Sequence, residues 1–570
     1  MAQGIRLTGF IVCGLVAAYA VPARGAEARR PNVVFVLTDD QGYGELGCHG
    51  NPIIQTPNLD KLHGQSVRLT NYHVDPTCSP TRSALMTGRY SSRVGVWHTV
   101  MGRSLLRRDE VTMADVFTAN GYRTGIFGKW HLGDNYPYRP QDRGFLEVLT
   151  LGGGAIGNNP DFWGNNYFDD TLRHNGKLEK FNGYCTDIFF AVALQFIEKN
   201  KDRPFFAYIP TNAPHAPYNV AEKYSKPYRD KGVPEQRARF YGMIANIDEN
   251  LGKLLARLKV LGLVENTIVI FMTDNGTAAG IDQKGDGFNA DMRGIKGSEY
   301  DGGHRVPCFL RWLGHLNGGK DVARVTAHID ILPTLIDLCD LHKPEKVVFD
   351  GASLRPLLTA KGDWPERTLF AHSQRIDHPE KWRKCAVMTD RWRLINGMEL
   401  FDLAADPGQK KDVAAQQAAV VAELRKAYER WWTDIGRRFE EYCEIVVGSE
   451  KENPTELCCH DWHGELALSG QDMVRKGVIA NGFWALEVER AGKYEITLRQ
   501  QPAVAKFVIP AEKARLTVGG IDVNKSVPTG ATSVTFQVQL PVGKTRLQTW
   551  LIEKDGTTRG AYFVEVRSLE

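Results

Sequence analysis

The sequence has no strong charge excess, since 71 Lys and Arg residues face 67 Asp and Glu residues and leave a net charge of +4. That balance gives no indication of a nucleic-acid partner. The sequence also has no CxxC pair, no Cys/His spacing typical of zinc sites and no repeat of solenoid length. After the N-terminus it has no apolar run long enough to cross a bilayer. What remains is ordinary globular composition, 42% hydrophobic and 24% charged, in a chain long enough for two or three domains.

The N-terminus has the layout of a secretory signal peptide. Arg6 precedes an apolar run from Leu7 to Ala20, and small residues that suit a cleavage enzyme follow. We expect residues 1–26 to be removed, which places the mature chain in the periplasm or outside the cell with no membrane span. An uncleaved membrane anchor is the alternative. In an oxidising compartment some of the eight cysteines other than Cys13 and Cys78 could form disulfides, although their spacing fixes no pairing.

Short apolar runs alternate with amphipathic stretches through the first two thirds of the chain. The runs predict buried strands at 32–37, 122–127, 205–209 and 267–272, with helices at 113–120, 189–199 and 235–261. This alternation predicts an α/β fold with a mostly parallel central sheet and helices on both faces. We expect that domain to span 27–365, a small antiparallel subdomain with a helix from about 412 to 435 to span 366–445, and an all-β, sandwich-like module to span 446–570.

Two of the predicted strands end in the same way, with a threonine followed by acidic or amide residues and a glycine. Asp39 and Asp40 follow the first strand, and Asp274 and Asn275 follow the strand at 267–272. Because ligands gather outside the carboxyl ends of parallel strands, these four side chains are expected to share one crevice. Hard oxygen ligands of this kind suit Ca²⁺ or Mg²⁺. A solvated loop or a helix cap is the alternative interpretation of each turn alone.

The stretch Pro-Thr-Cys-Ser-Pro-Thr-Arg-Ser-Ala-Leu-Met-Thr-Gly at residues 76–88 is the most informative part of the chain. Cys78 precedes a helix-starting Pro80, and Arg82 follows one helical turn later, so an anion beside Cys78 is favoured. The stretch resembles the signature of the type I sulfatases, of the alkaline phosphatase superfamily. Residues 121–131, Gly-Tyr-Arg-Thr-Gly-Ile-Phe-Gly-Lys-Trp-His, are similar to the second signature of that family, with Phe127 as the one departure.

The resemblance implies a site in which Cys78 is oxidised to formylglycine by a maturation enzyme. It also implies that Asp39, Asp40, Cys78, Asp274 and Asn275 lie around a divalent metal, most often Ca²⁺, with Mg²⁺ as the other choice. The remaining implied catalytic residues are Arg82 and Lys129 beside the nucleophile, His131 as proton acceptor, and His215 and Lys296 at the sulfate and leaving group. Asp301 stands where the family often has Glu, and the family's serine near His131 is not identifiable within 152–158.

The resemblance further implies an arylsulfatase-like enzyme that hydrolyses sulfate monoesters. Basic and aromatic residues at 381–384 and 391–393 suit a sulfated glycan or polysaccharide, with aryl sulfates as surrogates. Solvated charge with buried tryptophan is the alternative for those stretches. Residues 460–463 either fold back onto the cleft or form a plain interdomain loop. A phosphonate or phosphate monoester hydrolase of the same superfamily is the alternative function, and a catalytically dead carbohydrate-binding protein is a third.

Overall fold

The structure is a computed structural model that describes residues 30–282, 284–466 and 468–570, together with residues 1, 3, 4 and 9. The predicted signal peptide lies, apart from those four residues, outside the described residues. Within the described part of the chain, no helix combines the length and the apolar character needed to cross a membrane.

A mixed sheet of ten strands lies at the centre of the larger part of the chain. The strands up to residue 327 are β1 (Asn32–Thr38), β2 (Val67–Leu69), β3 (Tyr72–His73), β4 (Arg123–Gly128), β5 (Glu147–Thr150), β6 (Thr171–His174), β7 (Lys177–Lys180), β8 (Phe205–Pro210), β9 (Thr267–Thr273), β10 (Cys308–Arg311), β11 (Lys320–Val322) and β12 (Thr326–Ala327). The sheet order is β11-β2-β10-β9-β1-β8-β4-β5-β6-β7, and β3 pairs with β12 beside it. The five middle strands, from β9 to β5, run parallel.

Both faces of this sheet are covered, as the alternation predicts. Val33 and Phe35 of β1 belong to one apolar cluster, whereas Val34 and Val36 belong to another, because successive side chains of a strand point to opposite faces. The helices of this part are α1 (Pro57–Gly64), α2 (Cys78–Thr87), α3 (Met113–Ala119), α4 (Cys185–Lys199), α5 (Glu222–Arg229), α6 (Glu235–Val260), α7 (Asp301–His304), α8 (Ile331–Leu338) and α9 (Arg355–Thr359). α2, α3 and α8 contribute to the first cluster, and α1, α4 and α6 to the second. The predicted fold class is confirmed.

A small antiparallel sheet follows, made of β13 (Leu369–His372), β14 (Cys385–Met388), β15 (Trp392–Ile395) and β16 (Glu399–Asp402). Its helix α10 spans Ala418–Ile435, so the predicted start near residue 412 is wrong. Asp412 instead accepts a hydrogen bond from the Leu400 amide, and Val413 donates to the Leu400 carbonyl. These contacts attach the segment to β16 and prevent it from continuing the helix.

The last part of the chain consists mainly of two sheets that pack face to face. Its elements are β17 (Ile445–Val447), β18 (Thr455–Cys458), α11 (Gln471–Arg475), β19 (Phe483–Val488), β20 (Gly492–Arg499), β21 (Lys513–Val518), β22 (Ile521–Ser526), β23 (Val534–Leu540), β24 (Gly543–Ile552), β25 (Thr558–Arg559) and β26 (Phe563–Ser568). One sheet has the order β17-β19-β24-β21-β22, with β25 on β24, and the other has the order β18-β26-β20-β23. A shared apolar core lies between them, with Trp484 and Leu516 on one side and Ile496 and Val566 on the other. The domain boundaries near residues 365 and 445 stay predictions.

All nine described cysteines are free thiols.

Candidate active site

The two acidic turns lie side by side because β1 and β9 are parallel neighbours, with Thr38 opposite Thr273. The chain therefore delivers Asp39 and Asp40 from one strand end and Asp274 from the other into one place. One carboxylate oxygen from each of the three lies within 4.8 Å of the others. The Asp40 amide also donates to Asp274 Oδ1 at 3.1 Å, which joins the two turns directly.

Each of these carboxylates is paired with one basic side chain. Lys129 Nζ lies 2.6 Å from Asp39 Oδ2, and Arg82 Nη2 lies 2.7 Å from Asp274 Oδ2; all four side chains are buried. Lys296 Nζ lies 2.6 Å from Asp40 Oδ1, and its side chain is 19% exposed. Burial lowers the pKa of Lys296, but the Asp40 and Cys78 charges outweigh burial and raise it, so the ammonium is retained.

The oxygen atoms left over fit a hard metal ion. Two buried side-chain oxygens, Asp39 Oδ1 and Asn275 Oδ1, have no hydrogen-bond partner among the described residues. The amide nitrogen of Asn275 donates to Asp40 Oδ1 at 2.9 Å. Burial and the nearby Asp274 carboxylate raise the pKa of Asp39, a sign of crowded negative charge. A divalent cation would relieve that crowding and use the two unpartnered oxygens. The donor set fits Ca²⁺ or Mg²⁺.

Cys78 is the first residue of α2 and is 3% exposed. Its neighbour Ser79 donates from Oγ to the His131 carbonyl at 2.9 Å, and Arg82 donates from Nη1 to the Lys129 carbonyl at 3.0 Å. These two bonds connect the start of α2 to the end of the second motif. The structure thus brings the two sequence motifs together, although Arg82 and Lys129 are paired with carboxylates.

His131 is held so that one ring nitrogen stays free. Its Nε2 lies 2.9 Å from the Thr99 carbonyl, which can only accept, so Nε2 carries the hydrogen and Nδ1 has a lone pair and no partner. Burial and the Lys129 charge hold the pKa of His131 well below its usual value. A Cβ built on Gly154 would lie 2.2 Å from His131 Cε1, so the glycine-rich stretch packs directly on this ring.

His215 reaches the same place from the end of β8. Its Nδ1 donates to the Ala216 carbonyl at 2.6 Å, and its Nε2 lies 3.7 Å from Asp40 Oδ2. Burial and the Lys296 charge lower the pKa of His215 to about 4. All the predicted site residues therefore converge on one cluster. Its partly exposed side chains, His215 at 24% and Lys296, mark the accessible side.

A profile described as Sulfatase matches residues 31–341, more than half of the chain. The chain belongs to the sulfatase family. A second profile, described as N-sulphoglucosamine sulphohydrolase, C-terminal, matches residues 296–433. As a sulfatase the chain is a sulfuric ester hydrolase, and members of this family generally use formylglycine and a divalent metal.

Individual sulfatases are similar over most of their own lengths. Arylsulfatase A from Homo sapiens is 32% identical, with 71% of this chain and 84% of that protein covered. N-acetylgalactosamine-6-sulfatase from Mus musculus is 30% identical, with 62% and 71% covered. The crystal structure of Ps i-CgsB in complex with k-i-k-neocarrahexaose is 27% identical, has a TM-score of 0.65, and covers 73% of this chain and 95% of that chain.

A histidine that the sequence did not assign to the sulfatase site, His460, lies beside His131, and His98 lies near His460. The ring of His460 has its centroid 6.0 Å from that of His131, and the His460 carbonyl accepts from the Met101 amide at 2.8 Å. Residues 460–463 therefore fold back against the catalytic part. His460 is buried, and its Nε2 has no hydrogen-bond partner. Burial, with Arg375 and His460 nearby, lowers the pKa of His98 to about 3. We call His98, His131 and His460 the imidazole wall.

The basic and aromatic stretches proposed for sugar contacts are engaged in contacts within the protein instead. Trp382 stacks on Tyr428 with ring centroids 3.8 Å apart. Arg391 pairs with Asp402 at 2.6 Å. Arg393 is fully buried and pairs with Asp301 at 2.9 Å, which supports the loop that carries Lys296. These contacts favour the structural alternative for both stretches.

Proposed function

We propose that this sulfatase is secreted to the periplasm or beyond and hydrolyses sulfate monoesters on sulfated glycans. The observation that carries the proposal is the set of three carboxylate–cation pairs gathered beside Cys78 at the ends of β1, β4 and β9. A nucleophile placed among buried cations suits an anionic ester, whose negative charge otherwise repels attack.

The proposed cofactors are Ca²⁺ and a formylglycine made from Cys78. Asp39, Asp40, Asp274 and Asn275, with residue 78, would hold the ion. When present, these groups supply positive charge at the sulfate oxygens and a hydroxyl nucleophile. Because Lys129, Arg82 and Lys296 already balance the three carboxylates, a divalent cation leaves the site with net positive charge. That charge favours binding of a sulfate ester.

Different residues are proposed to accept and to carry the protons of the reaction. The unpartnered Nδ1 of His131 would accept the proton released at residue 78 when sulfate is expelled, which its neutral ring allows. Lys296 keeps its proton and lies at the accessible side of the site. We therefore assign to it the binding of a sulfate oxygen and assistance to the leaving group. His215 lies on the same side, next to Asp40.

The glycan preference rests on relatives and on the last part of the chain. Solved and curated neighbours include an N-acetylgalactosamine-6-sulfatase and a structure with a bound neocarrahexaose. Here the imidazole wall includes His460 from the β-rich module, and imidazole nitrogens suit sugar hydroxyl groups. The two unpartnered ring nitrogens of that wall, on His131 and His460, are acceptors, because the Thr99 carbonyl and the Asp461 carboxylate take the ring hydrogens.

Mass spectrometry of the peptide that contains residue 78, from protein made in its native host, tests the chemistry. We expect the mass of an aldehyde in place of the thiol, and turnover of 4-nitrophenyl sulfate that Cys78→Ala abolishes. Cys339→Ser, at another buried free cysteine, is the matched control. An unmodified thiol in fully active protein would sink the formylglycine mechanism. Faster turnover of phosphate or phosphonate monoesters than of sulfate esters would move the function to the other hydrolase class.

A further inference from the structure

A second group of metal-ligating side chains lies at the edge of the central sheet, away from the oxygen-lined site. One ligand atom each from Cys48, His49 and His63 lies within 4.8 Å of the others. Cys48 and His49 belong to the 3-10 turn Gly47–His49, and His63 lies in the last turn of α1. All three line a cavity of about 300 Å³. Among the described cysteines, Cys48 alone is partly exposed.

The turn is fixed to α1 by a short hydrogen-bond network. The Cys48 amide donates to Asp60 Oδ1 at 2.9 Å, and Thr56 Oγ1 donates to the same oxygen at 2.9 Å. Thr56 Oγ1 also accepts from the Gly47 amide at 2.9 Å. Both halves of the cluster are therefore held together by contacts that do not use the ligand atoms.

The hydrogen bond of His49 leaves its other ring nitrogen free to bind a metal. His49 Nδ1 lies 2.8 Å from the Tyr43 carbonyl, which can only accept, so Nδ1 carries the hydrogen and Nε2 has a lone pair. A carbonyl partner on the other ring nitrogen is the usual support of a metal-binding histidine. Tyr43 stacks on His49 at 3.9 Å, and Phe309 packs edge-on against His63 at 5.1 Å, which fixes both rings.

The surrounding charges also fit a divalent cation. Asp60 lies beside Cys48, and together a thiolate and this carboxylate balance two positive charges. The nearby Arg68 is already paired with Asp321 at 2.5 Å. The Arg305 guanidinium lies over Tyr43, 5.1 Å from its ring centre, and its Nε donates to the Thr70 carbonyl at 2.9 Å. Among the described residues, these two arginines near the cluster are thus both engaged with other groups.

We propose that Cys48, His49 and His63 bind a divalent transition metal of the Zn²⁺ class, with the cavity leaving a fourth position open to water or to Asp60. A sulfur and two imidazole nitrogens select such an ion over Ca²⁺, which prefers oxygen. On binding, the Cys48 S–H bond breaks, an Sγ–metal bond forms, and the proton goes to solvent without any change of oxidation state. The sequence spacing gave no sign of this site because its halves meet only in the folded chain.

Cobalt(II) titration of the full-length protein, with Ca²⁺ present to fill the oxygen site, tests the proposal. We expect one Co²⁺ per chain, a thiolate-to-cobalt charge-transfer band in the near ultraviolet, proton release, and displacement by Zn²⁺. Cys48→Ser should remove the band, and His63→Ala should weaken binding by about tenfold or more. His315→Ala, at an exposed histidine that stacks on Trp312, should leave binding unchanged.

Two outcomes would overturn the proposal. A missing band, or a band that survives Cys48→Ser, would mean that this thiol binds no metal. A band that disappears in Cys78→Ala and not in Cys48→Ser would place the ion in the catalytic site. Thermal unfolding without added metal checks that each variant is folded, and half-buried His63 provides the decisive variant if Cys48→Ser does not fold.

Discussion

The two sides of the candidate active site differ in whether their buried polar groups have partners. On one side, Asp39, Asp40 and Asp274 each meet a basic partner at 2.7 Å or closer. On the imidazole wall, His131 and His460 each keep one buried ring nitrogen without a partner. A buried charge without a partner is too costly to keep, whereas a buried imidazole without a partner costs far less. The charged side is therefore fixed in advance of any ligand, and the wall keeps unused hydrogen-bonding groups for one.

The largest effect should come from breaking a pair on the charged side. Lys129→Ala leaves Asp39 buried beside two other carboxylates, so we expect a loss of about 3–5 kcal/mol in unfolding free energy and of nearly all turnover. Urea unfolding and 4-nitrophenyl sulfate assays measure both. Lys226→Ala, in an exposed pair with Asp230, is the control and should change neither. Full stability in Lys129→Ala would show that the pairs do not hold this side together.

A smaller effect should follow from displacing the His131 ring of the imidazole wall without removing any polar group. Gly154→Ala adds a methyl group where His131 Cε1 lies 2.2 Å away, so the ring must move. We expect kcat to fall by about 10–100-fold with KM nearly unchanged, because misplacement of a proton acceptor affects the chemical step. Gly470→Ala, with its nearest neighbour at 3.7 Å, is the matched control. Equal kcat in Gly154→Ala and wild type would argue against His131 as the acceptor.

The smallest effect should come from the part of the wall that the β-rich module supplies. His460→Ala removes a ring whose Nε2 has no hydrogen-bond partner, so we expect stability to change little and turnover of 4-nitrophenyl sulfate to stay within about twofold. The KM for a sulfated oligosaccharide should rise several-fold, since that substrate reaches farther along the wall. Kinetics on both substrates, with exposed His378→Ala as control, measure the difference. Equal losses on both substrates would assign His460 a structural role.

The charged side could be predicted from sequence because its residues are fixed by local motifs. Asp39 and Asp274 follow buried strands that end in Thr38 and Thr273, and parallel neighbours must bring such turns together. Cys78, Arg82, Lys129 and His131 sit in two motifs whose order along the chain is itself informative. The α/β fold followed from the same alternation of strands and helices.

The wall and the small subdomain were harder to predict because they depend on distant contacts. The position of His460 is set by how the β-rich module packs, and no nearby residue indicates it. The start of α10 moved to Ala418 because Asp412 bonds β16, a contact that helix periodicity does not report. The thiol of Cys48 and the ring of His63 meet through the fold of α1 rather than through spacing.

The burial of Cys78 limits when this residue can be modified. At 3% exposure, its side chain is out of reach of another enzyme once α2 has packed against the sheet. Any enzyme that modifies this residue must act on a chain that has not finished folding, so modification and folding compete as rates. With the proposed formylglycine chemistry, molecules that fold before modification would stay without the aldehyde. The active fraction of a preparation should therefore rise when the chain folds more slowly or when more of the modifying enzyme is present during synthesis.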